Sequence, residues 1–125
     1  MSTRMANIKN SAELEAKLAK LREDYQTAKA QIQALDYVIS GSLQKRSYRC
    51  GKANCRCKTE GILHGPYYQW TRKVNGKTVN ISLDPESADT VKEWIRNNRE
   101  LRKLRQRMEK ISLAALRSKT HLKNI

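Results

Sequence analysis

The stretch YYQWTRKVNGKTVNISLDPE, residues 67–86, contains two runs of alternating residues joined by Asn75-Gly76. Asn-Gly is typical of a two-residue type I′ hairpin turn, which would place Val74 opposite Lys77. One face of the hairpin then collects the apolar residues Tyr68, Trp70, Val79, Ile81 and Leu83. We therefore predict antiparallel strands over residues 67–74 and 77–83 with one buried face, and residues 43–49 are a candidate third strand.

A helix is predicted directly after the hairpin. Asp84-Pro85-Glu86 supplies an N-cap residue, a proline at the first helical position and an acid in the first turn. No glycine or proline follows, so the helix is expected to run from Pro85 to about Lys119. Its apolar stripe has a polar break at Asn97 and Asn98 and consists of Trp94, Leu101, Leu104, Met108, Ile111 and Ala115.

A second helical pattern precedes the hairpin. Apolar residues recur there at alternating spacings of four and three, which is the heptad seam of a coiled coil. The seam consists of Leu14, Leu18, Leu21, Tyr25, Ala28, Ile32, Leu35 and Ile39. We predict a helix over residues 10–40, begun by Asn10 and Glu13 as a capping box and stopped by Ser40-Gly41-Ser42. Two partners fit the seam: the C-terminal helix of the same chain, or another copy in a homo-oligomer.

The charge of the chain indicates a polyanionic partner. Its formal net charge is +14, and residues 43–83 carry nine basic groups against Glu60 alone, whereas residues 10–40 carry four basic and five acidic groups. Double-stranded DNA is the partner that this distribution favours. Tyr67, on the polar face of the hairpin, is a candidate for stacking on a base. The candidate nucleic-acid-binding residues are Arg46, Arg49, Lys52, Arg56, Lys58, Arg72, Lys73 and Lys77.

All three cysteines lie in this basic segment. Cys50, Cys55, Cys57 and His64 follow the pattern C-x4-C-x-C-x6-H, and three thiolates with one imidazole are a standard ligand set for structural zinc. A sheet module near the size of about 40 residues usually needs a metal, disulfides or oligomerisation to be stable. We therefore predict a Zn²⁺ site at these four residues; reduced cysteines beside an incidental His64, or an iron–sulfur cluster, are the alternatives.

The predicted fold class is α+β: a long N-terminal helix, a small zinc-braced antiparallel β-hairpin module and a long C-terminal helix, with coiled-coil-like helices. The predicted segments are a flexible N-terminus (1–9), the coiled-coil helix (10–40), the basic Cys3His zinc-binding β module (43–83), the basic C-terminal helix (84–119) and a tail (120–125).

Several classes of protein do not fit this chain. A magnesium nuclease needs clustered carboxylates, and a tyrosine nucleophile needs an Arg and His constellation, yet the only histidines are His64 and His121. We therefore expect no catalytic residues and no enzyme activity. No apolar run reaches about 18 residues and the N-terminus is polar, so no membrane partner is expected. The expected location is the cytoplasm, with nucleoid association when DNA is bound.

The stretches CGKANCRCKTEGILHGPYYQW and KVNGKT resemble a family of small mobile-element proteins. These proteins share a CGK-x-x-C-x-C…HGPYY…NGKT block before a helix that begins at proline. In size and helical flanks the chain also resembles the third, small protein of bacterial transposons that encode two tyrosine recombinases. The first resemblance implies a metal site at Cys50, Cys55, Cys57 and His64. The second implies an accessory role in transposition beside a recombinase. Together with the basic segment, the predicted zinc site and the seam, this favours a DNA-binding accessory protein; the alternative is an adaptor that bridges recombinase subunits through its helices.

Overall fold

The computed structural model describes residues 2–122 and 124–125, with side chains described from Asn10 onward. Its elements are, in order, α1 (Ser2–Gln33), β1 (Ser42–Tyr48), α2 (Arg56–Thr59), β2 (His64–Val74), β3 (Lys77–Leu83) and α3 (Pro85–Lys119). The predicted α+β class is therefore confirmed. The chain forms two compact units: unit 1 is Met1–Leu35 with Glu100–Ile125, and unit 2 is Asp36–Arg99.

Unit 2 is built on a three-stranded antiparallel sheet of order β1-β2-β3. The predicted hairpin register is confirmed in full, from Val74 opposite Lys77 to Tyr68 opposite Leu83. Asn75 and Gly76 have φ values of 51° and 80°, and this pair of left-handed residues is what a type I′ turn requires. The candidate third strand is also present, one residue displaced from its predicted bounds, and pairs with β2.

The two faces of the sheet differ in character. One face turns to the first half of α3: Leu43 and Tyr68 line a groove together with Ala88 and Ile95, and both α3 residues are buried. The other face carries no apolar aliphatic side chain and no acid. We call it the open sheet face; it consists of Gln44, Arg46, Tyr67, Gln69, Thr71, Lys73, Thr78, Asn80 and Ser82.

The core of unit 2 is small. Its most buried side chains in α3 are Ala88, Val91 and Ile95, which the predicted stripe of α3 did not include. The predicted apolar face of the hairpin is only half-buried, and Ile81 is 37% exposed. Unit 2 therefore extends past the predicted module boundary at residue 83, because a sheet with one apolar face needs α3 to cover it.

Unit 1 pairs α1 with the second half of α3 in antiparallel directions. One groove is lined by Leu18, Leu21 and Tyr25 from α1 and by Ile111 and Leu116 from α3. A second groove, further along α1, is lined by residues around Ala30 and by Met108, which comes earlier in α3. Ala28 and Leu104 are the buried side chains among the residues of this unit whose side chains are described. Within the chain, the seam of α1 therefore packs on α3.

The bounds of α1 differ from the prediction. The helix begins at Ser2, so the predicted flexible segment 1–9 is helical from its second residue; Met1 lies outside the described residues. No proline or glycine stands before Asn10 to force a later start. The helix ends at Gln33, seven residues before the predicted stop at Ser40. Its last turn is tightened, since Leu35 N–H donates to Ile32 O, three residues earlier.

The early end of α1 has a tertiary cause within unit 2. Residues 36–40 form no regular secondary structure and lie against α3, where Ile39 N–H donates to the Trp94 carbonyl at 3.3 Å. The Tyr37 ring lies 4.9 Å from the Trp94 ring, and Asn97 Nδ2 donates to the Tyr37 carbonyl at 2.9 Å. These contacts override helix propensity in residues 36–39. The polar break of α3 therefore has a structural role, since Asn97 donates a hydrogen bond to the backbone of this segment.

No helix in the described part of the chain is long and apolar enough to cross a membrane. The start of α3 matches its prediction at Pro85. Asp84 Oδ1 accepts a hydrogen bond from Ser87 N–H at 2.7 Å. The hydrogen bonds from the Ser87 side chain and backbone lower the pKa of Asp84 below its ordinary value of 3.8. The N-cap is therefore stronger when Asp84 is ionised.

Asp84→Ala should lower the melting temperature of the protein at neutral pH by about 4 °C. Because the folded protein holds the pKa of Asp84 below 3.8, the carboxylate's contribution is present above that pH and is lost as the pH falls through the lowered value. Circular dichroism melts across this range should show the two proteins converging in acid. Asp84→Asn, which keeps an acceptor without a titrating group, is the matched control. A gap between wild type and Asp84→Ala that stays constant with pH would contradict the charged cap.

Candidate metal centre

Three thiols and one imidazole meet in unit 2. The Sγ atoms of Cys50, Cys55 and Cys57 and a ring nitrogen of His64 all lie within 4.8 Å of one another. Cys50 Sγ is 3.5 Å from Cys57 Sγ, and Cys55 Sγ is 3.0 Å from His64 Nε2. Cys57 is 1% exposed and the other three are half-buried. The four predicted ligands therefore form one cluster, close enough to hold a single metal ion.

The ligands come from the end of β1, the short helix α2 and the first residue of β2. Cys50 lies two residues after β1, Cys55 is the N-cap of α2, and Cys57 lies inside that helix. Helix α2 was not predicted; it has four residues and no side-chain cap. A helix this short is not stable alone. Its position therefore depends on the cluster, in which Cys50 N–H donates to Cys57 Sγ at 3.3 Å.

A β-bulge brings His64 to the cluster. Arg46 pairs with Tyr67 and Tyr48 pairs with His64, so Gly65 and Pro66 of β2 stand opposite one residue of β1. The extra residue reverses the side-chain alternation of β2. Gly65 has a φ of 108°, and a Cβ there would lie 2.8 Å from the Arg46 carbonyl oxygen. Only glycine fits this position.

Cys50 and Cys55 compete for negative charge. The pKa of Cys55 is lowered to about 6, chiefly by a hydrogen bond from the Cys57 backbone N–H and then by its contacts with Cys50 and His64. The Lys52 backbone N–H favours the Cys50 thiolate, but the hydrogen bond with Cys55 and burial outweigh it, so the pKa of Cys50 is raised. One thiolate is thus favoured at the expense of its neighbour. A bound cation would remove this competition because it stabilises all the thiolates together.

The donor set fits a metal ion in its chemistry as well as in its distances. No cysteine forms a disulfide, and no carboxylate belongs to the cluster. The buried Cys57 sulfur accepts a hydrogen bond from the Cys50 backbone N–H at 3.3 Å. Soft sulfur donors with one imidazole suit a thiophilic metal rather than magnesium or calcium. The predicted metal site is therefore confirmed as a geometrically possible site.

The eight predicted nucleic-acid-binding residues fall on three surfaces. These are the cluster loop (Arg49, Lys52, Arg56, Lys58), the open sheet face (Arg46, Lys73) and the opposite face (Arg72, Lys77). Seven are exposed, whereas Arg72 is half-buried. Its guanidinium lies 4.6 Å from the centre of the Trp70 ring, and its Nε is buried without a hydrogen-bond partner in the described part of the chain. Arg72 is therefore the least accessible of the eight to a phosphate.

The structure adds one residue that the sequence analysis did not single out. The Tyr48 ring lies 5.4 Å from the His64 ring and 5.5 Å from the Tyr67 ring, and both pairs are stacked. Tyr48 and Tyr67 are each 50% exposed. Hydrogen bonding to the Tyr67 hydroxyl is the main cause that raises the pKa of Tyr48 above 10.0. The sequence does place Tyr48 at the end of β1, but its stacking on His64 and Tyr67 depends on the bulge in β2 and could not be predicted.

Comparison with known proteins identifies a family by sequence. A family model described as "Domain of unknown function (DUF6788)" matches residues 11–93, about two thirds of the chain. The match spans most of α1, the whole sheet with its cysteine cluster, and the start of α3. No curated protein and no solved structure shows a significant match.

Replacing Cys57 by serine should abolish metal binding. Because Cys57 is both a ligand and the most buried side chain of the cluster, the loop of α2 should lose its order. We expect one metal ion per wild-type chain by native mass spectrometry and none for Cys57→Ser. Chelation of the wild type should change the fluorescence of Trp70 and Trp94, which both belong to unit 2.

Asn54→Ser is the matched control, since it changes the same loop but replaces none of the four predicted ligands. It should retain the metal. If the wild type were purified without metal, and chelator changed neither its fluorescence nor its melting temperature, the cluster would not be a metal centre.

Proposed function

The chain belongs to this family of unknown function, and we propose that it is a DNA-binding accessory protein of transposition or recombination. In this proposal the metal centre is structural, the basic residues around it contact DNA phosphates, and a transposon-encoded recombinase performs the chemistry. The observation that carries the proposal is the concentration of basic side chains around the Cys3His cluster, with Glu60 as the only acid between residues 43 and 83. The resemblance to mobile-element proteins supports the recombinase as partner and the cytoplasm, on the nucleoid, as the place of action.

Zinc is the metal that we propose for the centre. Zinc–sulfur bonds of about 2.3 Å in a tetrahedron hold the sulfurs about 3.8 Å apart. The 3.5 Å between the Cys50 and Cys57 sulfurs is close to this separation. Structural zinc contributes roughly 10–16 kcal/mol of apparent free energy in small peptides. The few buried side chains of unit 2 supply less than this, so zinc would hold the loop against the sheet.

The charges around the centre favour binding to DNA. The described side chains form two ion pairs, Lys20 with Asp24 and Arg56 with Glu60. Glu60 is the only acid between residues 43 and 83, and it is engaged. The exposed Lys52 and Lys58 stand on the metal-braced loop and are paired with no carboxylate. Ordering them on DNA would therefore cost little further entropy, and their contacts would be with phosphate rather than with base edges.

The alternative function is a protein adaptor, and one feature of unit 1 favours it. The groove between α1 and α3 has a volume of 620 Å³ and is lined by apolar side chains including Leu18, Leu21 and Ile111. Leu14 and Leu116 are 38% and 39% exposed, and residues 10–40 carry four basic and five acidic groups. A recombinase subunit or a second copy of this chain would bury this apolar surface. If the protein is an adaptor, direct contact with DNA is secondary to its function.

Duplex DNA binding should be measurable by fluorescence anisotropy and should weaken as salt rises. Lys52→Ala/Lys58→Ala should lower duplex affinity and reduce the slope of log affinity against log salt by about 2, since two phosphate contacts are lost. Lys17→Ala/Lys29→Ala removes the same charge from α1 and should leave the slope unchanged. Duplex affinity that is absent at low salt, or that is independent of salt, would refute the proposal of direct DNA binding.

Leu116→Glu tests the adaptor alternative. A charge in the groove would have to be desolvated by any apolar partner, so association with the recombinase or between copies should weaken about tenfold or more. Duplex affinity should not change. Co-purification and analytical ultracentrifugation would report the two associations, with Ala16→Glu, on an exposed position of α1, as the control. If both variants behave like the wild type, the groove is not a binding surface.

A further inference from the structure

The open sheet face ends in an aromatic surface beside the metal centre. Tyr48 and Tyr67, which we call the tyrosine platform, stack with centroids 5.5 Å apart and an interplanar angle of 27°. Each of the two residues is 50% exposed. Half of the surface of each of the two tyrosines is thus exposed to solvent and accessible to a ligand.

The platform is held in place from two sides. Tyr48 also stacks on the His64 ring, which is fixed by its 3.0 Å contact with Cys55 Sγ. Tyr67 pairs with Arg46 across the strands and follows the bulge at Gly65. The rings therefore stand on a preorganised site, and a ligand that stacks on them would not have to order them first.

The surroundings of the platform favour an anionic ligand. Arg46 lies next to Tyr67 on the open sheet face, and its guanidinium donates to Gln44 Oε1 at 2.8 Å. Lys73 lies further along the same face. No acidic residue is found among the residues of the open sheet face. A sugar–phosphate backbone bound along this face would contact basic, amide and hydroxyl side chains, and no carboxylate of the face would repel it.

We propose that the tyrosine platform binds unpaired bases of single-stranded DNA, with Arg46 contacting an adjoining phosphate and Lys73 a phosphate further along the strand. The bases of a duplex are stacked on each other and expose only their edges in the grooves. Unpaired bases expose their flat faces, and stacking on aromatic side chains with a basic groove for the backbone is how sheets bind single strands. This inference rests on the proposed function and adds an unpaired segment to its DNA substrate.

The test compares a blunt duplex with the same duplex carrying an unpaired thymine tail, using the full-length metal-loaded protein. The tail should increase the affinity of the wild type. Tyr67→Leu and Tyr48→Leu should each lower the affinity for the tailed duplex about tenfold and leave blunt duplex affinity unchanged. Tyr67→Phe keeps the ring and should bind like the wild type. Tyr37→Leu, which removes another exposed tyrosine of unit 2, is the matched control.

A direct readout of stacking uses 2-aminopurine in the tail. Its fluorescence should be quenched by the wild type and by Tyr67→Phe, but not by Tyr67→Leu. Metal content is measured for every variant, so that a loss caused by damage to the His64 site is recognised; Tyr67, which is not a ligand, gives the decisive comparison.

Failure of the two proposals can be told apart. If the tail adds no affinity, or if Tyr67→Leu binds and quenches the tail like the wild type, the platform does not bind bases and duplex binding still stands. If Tyr67→Leu loses the recombinase but not the tail, the platform is a protein contact and the inference is wrong. If the wild type binds neither DNA, both proposals are wrong.

Discussion

The pairing of β1 with β2 across the bulge at Gly65 is the constraint on which the site depends. Without the extra residue, the alternation of β2 would place His64 and Tyr67 on opposite faces of the sheet. With it, His64 is directed to the cysteines and also stacks on Tyr48, which itself stacks on Tyr67. The positive φ of Gly65 and its close approach to the Arg46 carbonyl show why no side chain is accommodated there. One backbone irregularity thus connects the candidate metal centre with the aromatic surface of the sheet.

In the metal-bound protein that we propose, the cluster would stabilise unit 2 in place of a larger hydrophobic core. Unit 2 buries only small or branched side chains of α3 and the sulfur of Cys57, while much of the hairpin remains half-exposed. The segment between β1 and β2 contains a helix of four residues that has no side-chain cap and could not persist without its contacts. A metal ion that joins the end of β1, α2 and the start of β2 would fix this segment with one set of strong bonds. The open sheet face can then remain polar, since it does not have to be buried for the unit to fold.

The parts of the fold that local chemistry dictates were predictable from the sequence. Asn75-Gly76 determined the hairpin register, and Asp84-Pro85 determined the start of α3, because each requires only a few neighbouring residues. The ligand set was predictable for a similar reason, as cysteine and histidine have few other reasons to cluster in a reduced protein. The end of α1 was not predictable, because it is decided by contacts of Tyr37 with Trp94 and Asn97, about 60 residues away in the sequence. The half-buried state of Arg72 and the stacking of Tyr48 likewise depend on partners that only the folded sheet supplies.

The most basic part of this protein is also the part that contains the candidate metal centre. From Asn10 onward α1 carries equal numbers of basic and acidic groups and pairs with α3 through apolar side chains, whereas the basic residues of unit 2 surround a cluster that a metal ion would make rigid. Lysine on a flexible loop loses conformational entropy when it binds phosphate, and much of that loss is avoided when the backbone is already ordered. The same reasoning applies to Tyr48, whose ring is held against His64 before any ligand arrives. In the DNA complex that we propose, loss of the proposed metal would therefore act in two ways: it would release the basic loop, and it would free the ring that positions the platform.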